Sequence, residues 1–211
     1  MGDSHHFPLE VVDGLRLEKA VRDALRPGAV VHDDDGRARR LPRFFYEIPS
    51  WDHAMRLQLT PDFALWEFIQ TDVREAEALR AFPRYVPCAV TLLAPSLQRF
   101  RDAVGTFVHI AANGGYRSPS HGVSGNASPH AWATAVNIYR VGDTYLDDRE
   151  AIERYAAIAR AALPGVWTRP FGWGRGLTDD HLHLDLGYVV SIPREAPADP
   201  AGVEPEVALA C

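Results

Sequence analysis

Residues 128–139 read Ser-Pro-His-Ala-Trp-Ala-Thr-Ala-Val-Asn-Ile-Tyr. Their second half, 133–139, predicts a strand, and His130 falls in the turn or helix end before it. His130 and Asn137 are seven residues apart, and a loop between them lets both reach one ion. Some fifty residues on, Asp180-His181-Leu182-His183 opens a second informative stretch. Residues 181–189 alternate and predict another strand, in which alternate side chains share a face. His181, His183 and Asp185 then point one way, and Asp180 and Leu182 the other. Between and before these stretches, 106–112 predicts a strand that Gly114-Gly115 breaks. Helices are expected over 88–103, with Pro95 as a local disturbance, and over 147–162, between Asp147-Asp148 and Pro164-Gly165.

Working outward, 13–25 carries apolar residues at helical spacing and stops at Pro27-Gly28. Val30-Val31 and 43–48 flank Asp35-Gly36, which suggests a hairpin or a long loop. Thr60-Pro61 resembles a helix start, with Thr60 as cap and Pro61 at the first helical position. Residues 1–58 read as an N-terminal elaboration and 59–192 as the main domain. From 193 to 211 the chain is rich in Pro, Ala, Glu and Asp and is expected to be disordered. No internal repeat is visible.

The 211 residues suit one domain with decorations. A 46% hydrophobic and 24% charged composition is enough to bury a core without disulfides. The net charge of −6 and the lack of a basic run argue against nucleic acid as a partner. Cys88 reads as a small buried hydrophobe, and terminal Cys211 suggests no disulfide framework. No uninterrupted apolar run of eighteen residues and no secretory pattern are seen, so no membrane partner is expected and cytoplasmic residence is the default, with export by another route left open. His32, His53 and His109 read as structural, His5 and His6 as part of a mobile terminus, and His121 as a candidate for the rim of a site. Trp132, Trp167 and Trp173 read as packing residues. The GWGRG run at 172–176 is too loose for a phosphate loop.

The two histidine stretches assemble the parts of a zinc hydrolase. Zinc takes four ligands from His, Cys and carboxylate, and catalytic sites leave one position for water. A nearby carboxylate can move the water's proton, and an arginine can hold a substrate carboxylate or a developing oxyanion. The candidates are His130, Asn137 and His183 as metal ligands, Asp180 as base and Arg117 as anion binder. Asp185 shares a face with both strand histidines and is placed to orient one of them.

Three motifs in order carry a family resemblance: Gly115-Tyr116-Arg117-Ser118-Pro119, then Ser128-x-His130-x-x-Ala133-x-Ala135-x-Asn137, then Asp180-x-x-His183. They resemble the D-Ala-D-Ala carboxypeptidase/L,D-endopeptidase family of zinc peptidases, in the branch whose peptidase domain is C-terminal. Residues 59–68 are similar to that branch's lead-in helix. The resemblance spans about residues 59–190. It implies an α+β fold, a small antiparallel sheet flanked by helices and shared with the hedgehog signalling domain. It also implies cleavage of small D-amino-acid-containing peptides of peptidoglycan type. By position it makes His130 and His183 zinc ligands, Asp180 the general base, Arg117 the substrate or oxyanion contact, and Ser128 a substrate-side hydrogen bonder.

The chain departs from the family pattern twice. Ala133 stands where the pattern has Gly, a steric change. Asn137 stands where it has an aspartate ligand, and a neutral amide oxygen is the weaker donor. Three outcomes stay open: Asn137 binds weakly, His181 takes its place, or the metal is lost. They correspond to three functions: a zinc peptidase, an iron- or copper-dependent tailoring enzyme on a small peptide or amino acid, or a non-catalytic peptide-binding module.

Overall fold

In the computed structural model, which describes residues 7–124, 127–173 and 179–198, short antiparallel sheets and several helices are interleaved along the chain. The first strand, β1 (Glu10–Asp13), leads through a 3-10 turn into helix α1 (Lys19–Leu25), so the expected helix over 13–25 is shorter. Asp13 explains the difference. Its carboxylate accepts from Leu15 N and takes a paired contact from Arg43, which holds this residue in the strand. Strands β2 (Val30–His32) and β3 (Ala38–Arg40) form a hairpin. Strand β4 (Phe44–Glu47), which the sequence had offered as the hairpin partner, pairs with β1 instead. The turn is shaped locally: Asp33 Oδ1 accepts from Arg37 N, and Gly36 has φ +77°.

Helix α2 (Trp51–Arg56) precedes strands β5 (Gln58–Thr60) and β6 (Phe63–Ala64). Thr60-Pro61 is therefore a turn between two strands, and helix α3 begins only at Leu65 and runs to Ile69. Asp62 is the cause. Its backbone and carboxylate are bound by Gln98, and Arg101 pairs with the carboxylate, which pins the turn to a neighbouring helix. After helix α4 (Glu77–Arg80), strand β7 (Tyr85–Pro87) joins β4, giving the sheet order β1-β4-β7.

The helix receiving Asp62 is α5 (Val90–Val104), which passes through Pro95 and ends at left-handed Gly105. Strand β8 (Val108–Ile110) pairs with β9 (Ala135–Val141), which continues into β10 (Thr144–Tyr145). Helix α6 (Arg149–Ala162) is capped by Asp148, whose carboxylate accepts from Ala151 N. Strand β11 (Trp167–Thr168) pairs with β12 (Leu182–Asp185), and β12 pairs with β9. Strand β12 is shorter than the alternating run 181–189, because left-handed Gly187 turns the chain away after Asp185.

One hydrophobic core holds these layers. Leu25, Phe45 and Ile48 from the first portion share it with Phe68, Leu97, Phe100, Ile138 and Leu182. The position between 58 and 59 is thus no gap in packing: β1 and β4 reach β7, and their side chains enter the same core. Cys88 lies in it, and burial pushes its thiol up to about 12. Among the described residues, no helix is long and apolar enough to cross a membrane. His5, His6, Cys211, most of the 193–211 tail and 174–176 of the glycine-rich run lie outside the described residues.

Candidate metal and anion site

The site begins with sheet register. In the antiparallel β9–β12 pair, His183 lies directly opposite Asn137. Such pairs put both side chains on one face. His183 Nδ1 and Asn137 Oδ1 are 2.8 Å apart. Two residues on, Asp185 shares that face, and its Oδ2 lies 3.1 Å from His183 Nε2. A carboxylate only accepts, so Nε2 carries the ring proton and donates to Asp185. Asp185 is itself fixed by accepting from Gly187 N. The bare nitrogen of His183 is then Nδ1, facing another acceptor, the Asn137 oxygen. A cation between them, or a turn of the amide, removes that repulsion.

His130 enters from the 3-10 turn Pro129–Trp132 that precedes β9. Its ring lies edge-on to His183, with centroids 5.1 Å apart. Its Nδ1 is 2.7 Å from the Gly115 carbonyl, an acceptor, so Nδ1–H donates and Nε2 is left bare. The turn ends at Ala133 in the left-handed region, φ +55°. This is the position where the resembled pattern has glycine, so that difference concerns backbone conformation. His130, Asn137 and His183 are all buried. Burial pushes the titration of His130 well below its ordinary range, aided by the charge of Arg117 and by His183. His183 is lowered too, by burial first and against the pull of its Asp185 hydrogen bond.

Arg117 is delivered by a tightly laid loop. A Cβ on Gly115 would sit 2.2 Å from the Phe68 carbonyl oxygen, and one on Gly114 would sit 2.8 Å from that of Asn137. The glycine pair thus lets the chain cross the end of α3 and the edge of β9 in contact with both. Tyr116 N donates to Phe68 O, and Asn137 N donates to Gly114 O. Behind the loop, buried Glu75 accepts from Ser118 N and from Ser118 Oγ. Burial, with Arg169 nearby, pushes the Arg117 guanidinium down to about 10, and its Nε is buried without a hydrogen-bond partner among the described residues.

His121, expected on the rim, is buried behind this loop. Its Nδ1 accepts from Val123 N, and its Nε2 is 3.3 Å from Asp72 Oδ1 without hydrogen-bond alignment. Asp180 is 78% exposed, and its Oδ1 is 2.5 Å from His181 Nδ1. The other ring nitrogen of His181, Nε2, receives Arg169 at 2.5 Å. Both nitrogens of His181 are therefore engaged away from Asn137. Ser128 is half-buried at the start of the His130 turn, with no capping bond from its side chain.

Trp132 packs in the interior as expected, with its indole N–H donating to Arg40 O. Trp167 and Trp173 do not. They are 43% and 68% exposed and meet edge to face, and Trp167 lies 5.6 Å from His183. Register is the reason: Trp167 is opposite Asp185, on the same face as His183. These tryptophans and Arg169 form a lip that the sequence reading missed. Strand pairing of 167–168 with 184–185 was the signal that would have found them, but two residues are too few to show a period.

No family model, curated protein or solved structure matches the chain. Its own donors must therefore carry the chemistry. Among the described residues, no group of three or more His, Cys, Asp or Glu side chains could hold a metal. The neutral donors at hand are His130 Nε2, on a ring 5.1 Å from that of His183, His183 Nδ1, and the amide oxygen of Asn137, 2.8 Å from His183 Nδ1. This set fits a divalent transition ion in kind, although every member is neutral. Asp185 supports one imidazole in the manner usual for metal-bound histidine.

Proposed function

We propose that this pocket is a metal-dependent peptidase site of the D-Ala-D-Ala carboxypeptidase type, in a hedgehog-like α+β domain, acting on small peptides that contain D-amino acids. The observation that supports it is convergence. Gly115–Arg117, His130 and the Asn137–His183 pair, far apart in sequence, meet on one sheet face with their ring tautomers fixed by Gly115 O and Asp185. His130, Asn137 and His183 would hold zinc, which when bound would polarise the scissile carbonyl and acidify water. Arg117 would hold a substrate carboxylate or steady negative charge on the carbonyl oxygen. Ser128 would bond the peptide from the turn before His130. Asp180 would move the proton once a substrate draws it from His181.

The neutral donor set favours a second reading: iron or copper in place of zinc for a tailoring reaction, or peptide binding without turnover. Metal analysis of untagged protein, with cleavage assays on D,D- and L,D-peptides, separates them. Stoichiometric zinc with cleavage is the expected result. Zinc-replete protein that leaves both peptide classes intact, while Asn137→Asp cleaves them, would overturn the hydrolytic reading.

A further inference from the structure

A second pocket, which shares no lining residue with the histidine site, lies between helix α3 and strand β8. It encloses about 480 Å³, and its walls include Trp66, Glu67, Gln70, His109 and Tyr139, with the small Ala111 leaving room between them. Strand parity and one irregularity in the sheet build its outer wall. Val108 and Ile110 are buried in the core, so His109 between them faces out. On β9 the register steps from Ile110 opposite Ile138 to His109 opposite Arg140, which leaves Tyr139 as the extra residue of a β-bulge. Ile138 and Val141 are buried on either side of the bulge, so Tyr139 and Arg140 both turn outward. The His109 and Tyr139 rings then stand side by side, with centroids 6.0 Å apart. Arg140 Nη2 lies 3.1 Å from His109 Nε2. Arginine only donates, so Nε2 accepts and the ring is a neutral wall. From the other side α3 contributes Trp66, which is 37% exposed, and Glu67, with Gln70 at its C-terminal cap.

Glu67 is the charged group of these walls. It is half-buried, and its Oε1 accepts from Ala64 N at the start of the helix. Among the described residues its carboxylate has no cationic partner. Elsewhere in the chain Asp13, Asp33, Asp62 and Asp72, with side chains no more than 30% exposed, each pair with an arginine. Arg140 makes no such pair with Glu67: it is engaged with His109, and its guanidinium stands over the Tyr145 ring, 5.7 Å from the centroid. A half-buried carboxylate without a countercharge is costly, and burial pushes the Glu67 carboxyl up. A cation in the pocket supplies the missing charge, and electron-rich ring faces favour one that carries alkyl groups.

We infer that this pocket binds a small quaternary ammonium ion, with its positive charge toward the Glu67 carboxylate and its alkyl groups against Trp66 and Tyr139. The inference is independent of the peptidase reading, because no residue of the pocket belongs to the histidine site.

The test compares choline with 3,3-dimethylbutan-1-ol, a neutral molecule of the same shape, as ligands for the full chain. Ligand-observed NMR gives both affinities, and intermolecular NOEs from the ligand methyl groups locate the binding site. Choline should bind on the order of tenfold or more tighter than the alcohol, since both the carboxylate and the ring faces discriminate by charge. Its methyl protons should show NOEs to Trp66 and Tyr139. Glu67→Gln keeps an oxygen for Ala64 N and removes the charge. It should abolish most of the preference for choline and leave the affinity for the alcohol unchanged, whereas a merely structural role would weaken both ligands alike. Trp66→Leu should weaken choline about threefold or more beyond its effect on the alcohol. Circular dichroism and melting identify a variant that fails to fold; if Glu67→Gln does so, Trp66→Leu, at a part-exposed position, carries the comparison. No binding of choline, equal affinity for the two ligands, or a choline preference that survives Glu67→Gln in folded protein overturns the inference. NOEs to the exposed Trp167–Trp173 pair in place of Trp66 overturn it as well.

Discussion

Asn137 is the residue on which the chemistry turns. It faces His183 across the β9–β12 pair, so a substitution there changes the ligand set without disturbing register. Asn137→Asp places a carboxylate against the bare Nδ1 of His183, and should tighten zinc by at least about tenfold in a competition titration with a chromophoric chelator. An unchanged zinc affinity would remove position 137 from the metal site. Ala133 is the other residue that departs from the resembled pattern, and its φ of +55° shows what the position demands. A non-glycine residue there carries about 1–2 kcal/mol of strain. Ala133→Gly relieves it but loses a buried methyl and adds chain entropy, so its melting temperature should barely move. Ala133→Val, β-branched in a left-handed conformation, should unfold more easily by about 2 kcal/mol or more. Equal melting temperatures for the two variants would contradict the backbone assignment.

At the scale of elements, the loop 114–118 is held from in front by Phe68 and from behind by Glu75. Gly115→Ala would force the Phe68 carbonyl or the loop to move, at about 1–3 kcal/mol. Arg117 would move with it. Glu75→Ala would strip the buried Ser118 hydroxyl and N–H of their acceptor, at a loss of about 2 kcal/mol or more. Glu75→Gln keeps the shape and should lose less. Chemical denaturation of the three variants orders them, and a Glu75→Ala protein as stable as the parent would show that the network contributes nothing. Periodicity showed α5, α6, β9 and β12, because each is long enough or alternates cleanly. It misread Thr60-Pro61 as a helix start, because the pull of Gln98 and Arg101 on Asp62 comes from a distant helix. That Asn137 and His183 belong together was implied by the three-motif resemblance, and the β9–β12 register sets them opposite each other. Arg169 was not legible, since only the pairing of β11 with β12 turns it toward the site. Nor was the engagement of His181 with Arg169, because strand parity specifies a face and not a partner.

For the whole molecule, the histidines set how metal-free stability depends on pH. His130, His183, His121 and His181 all titrate below their ordinary value in the folded protein, chiefly because burial disfavours the charged ring, with His181 pushed down to about 4. In the unfolded chain each returns to about 6.5. The sign follows from proton counting. About a unit above 6.5 neither state binds protons at these rings, and their neutral burial is fully compatible with folding. Between about 6.5 and 4 the unfolded state takes up protons that the folded state refuses, so stability falls as pH falls. The paired carboxylates act later. Asp72, held at about 2 by Arg74, and Asp13, lowered by Arg43, add stability above the unfolded carboxylate value near 4 and lose it below. Thermal melts of metal-free protein from pH 8 to 4.5 should therefore begin to fall as the pH approaches 6.5 and decline more steeply below it. The double variant His130→Gln/His183→Gln, which cannot charge at the two buried positions, should flatten that decline while melting lower at pH 8, where it loses the native contacts to Gly115 and Asp185. A decline of equal slope in parent and variant would place the pH-sensitive burial elsewhere in the molecule.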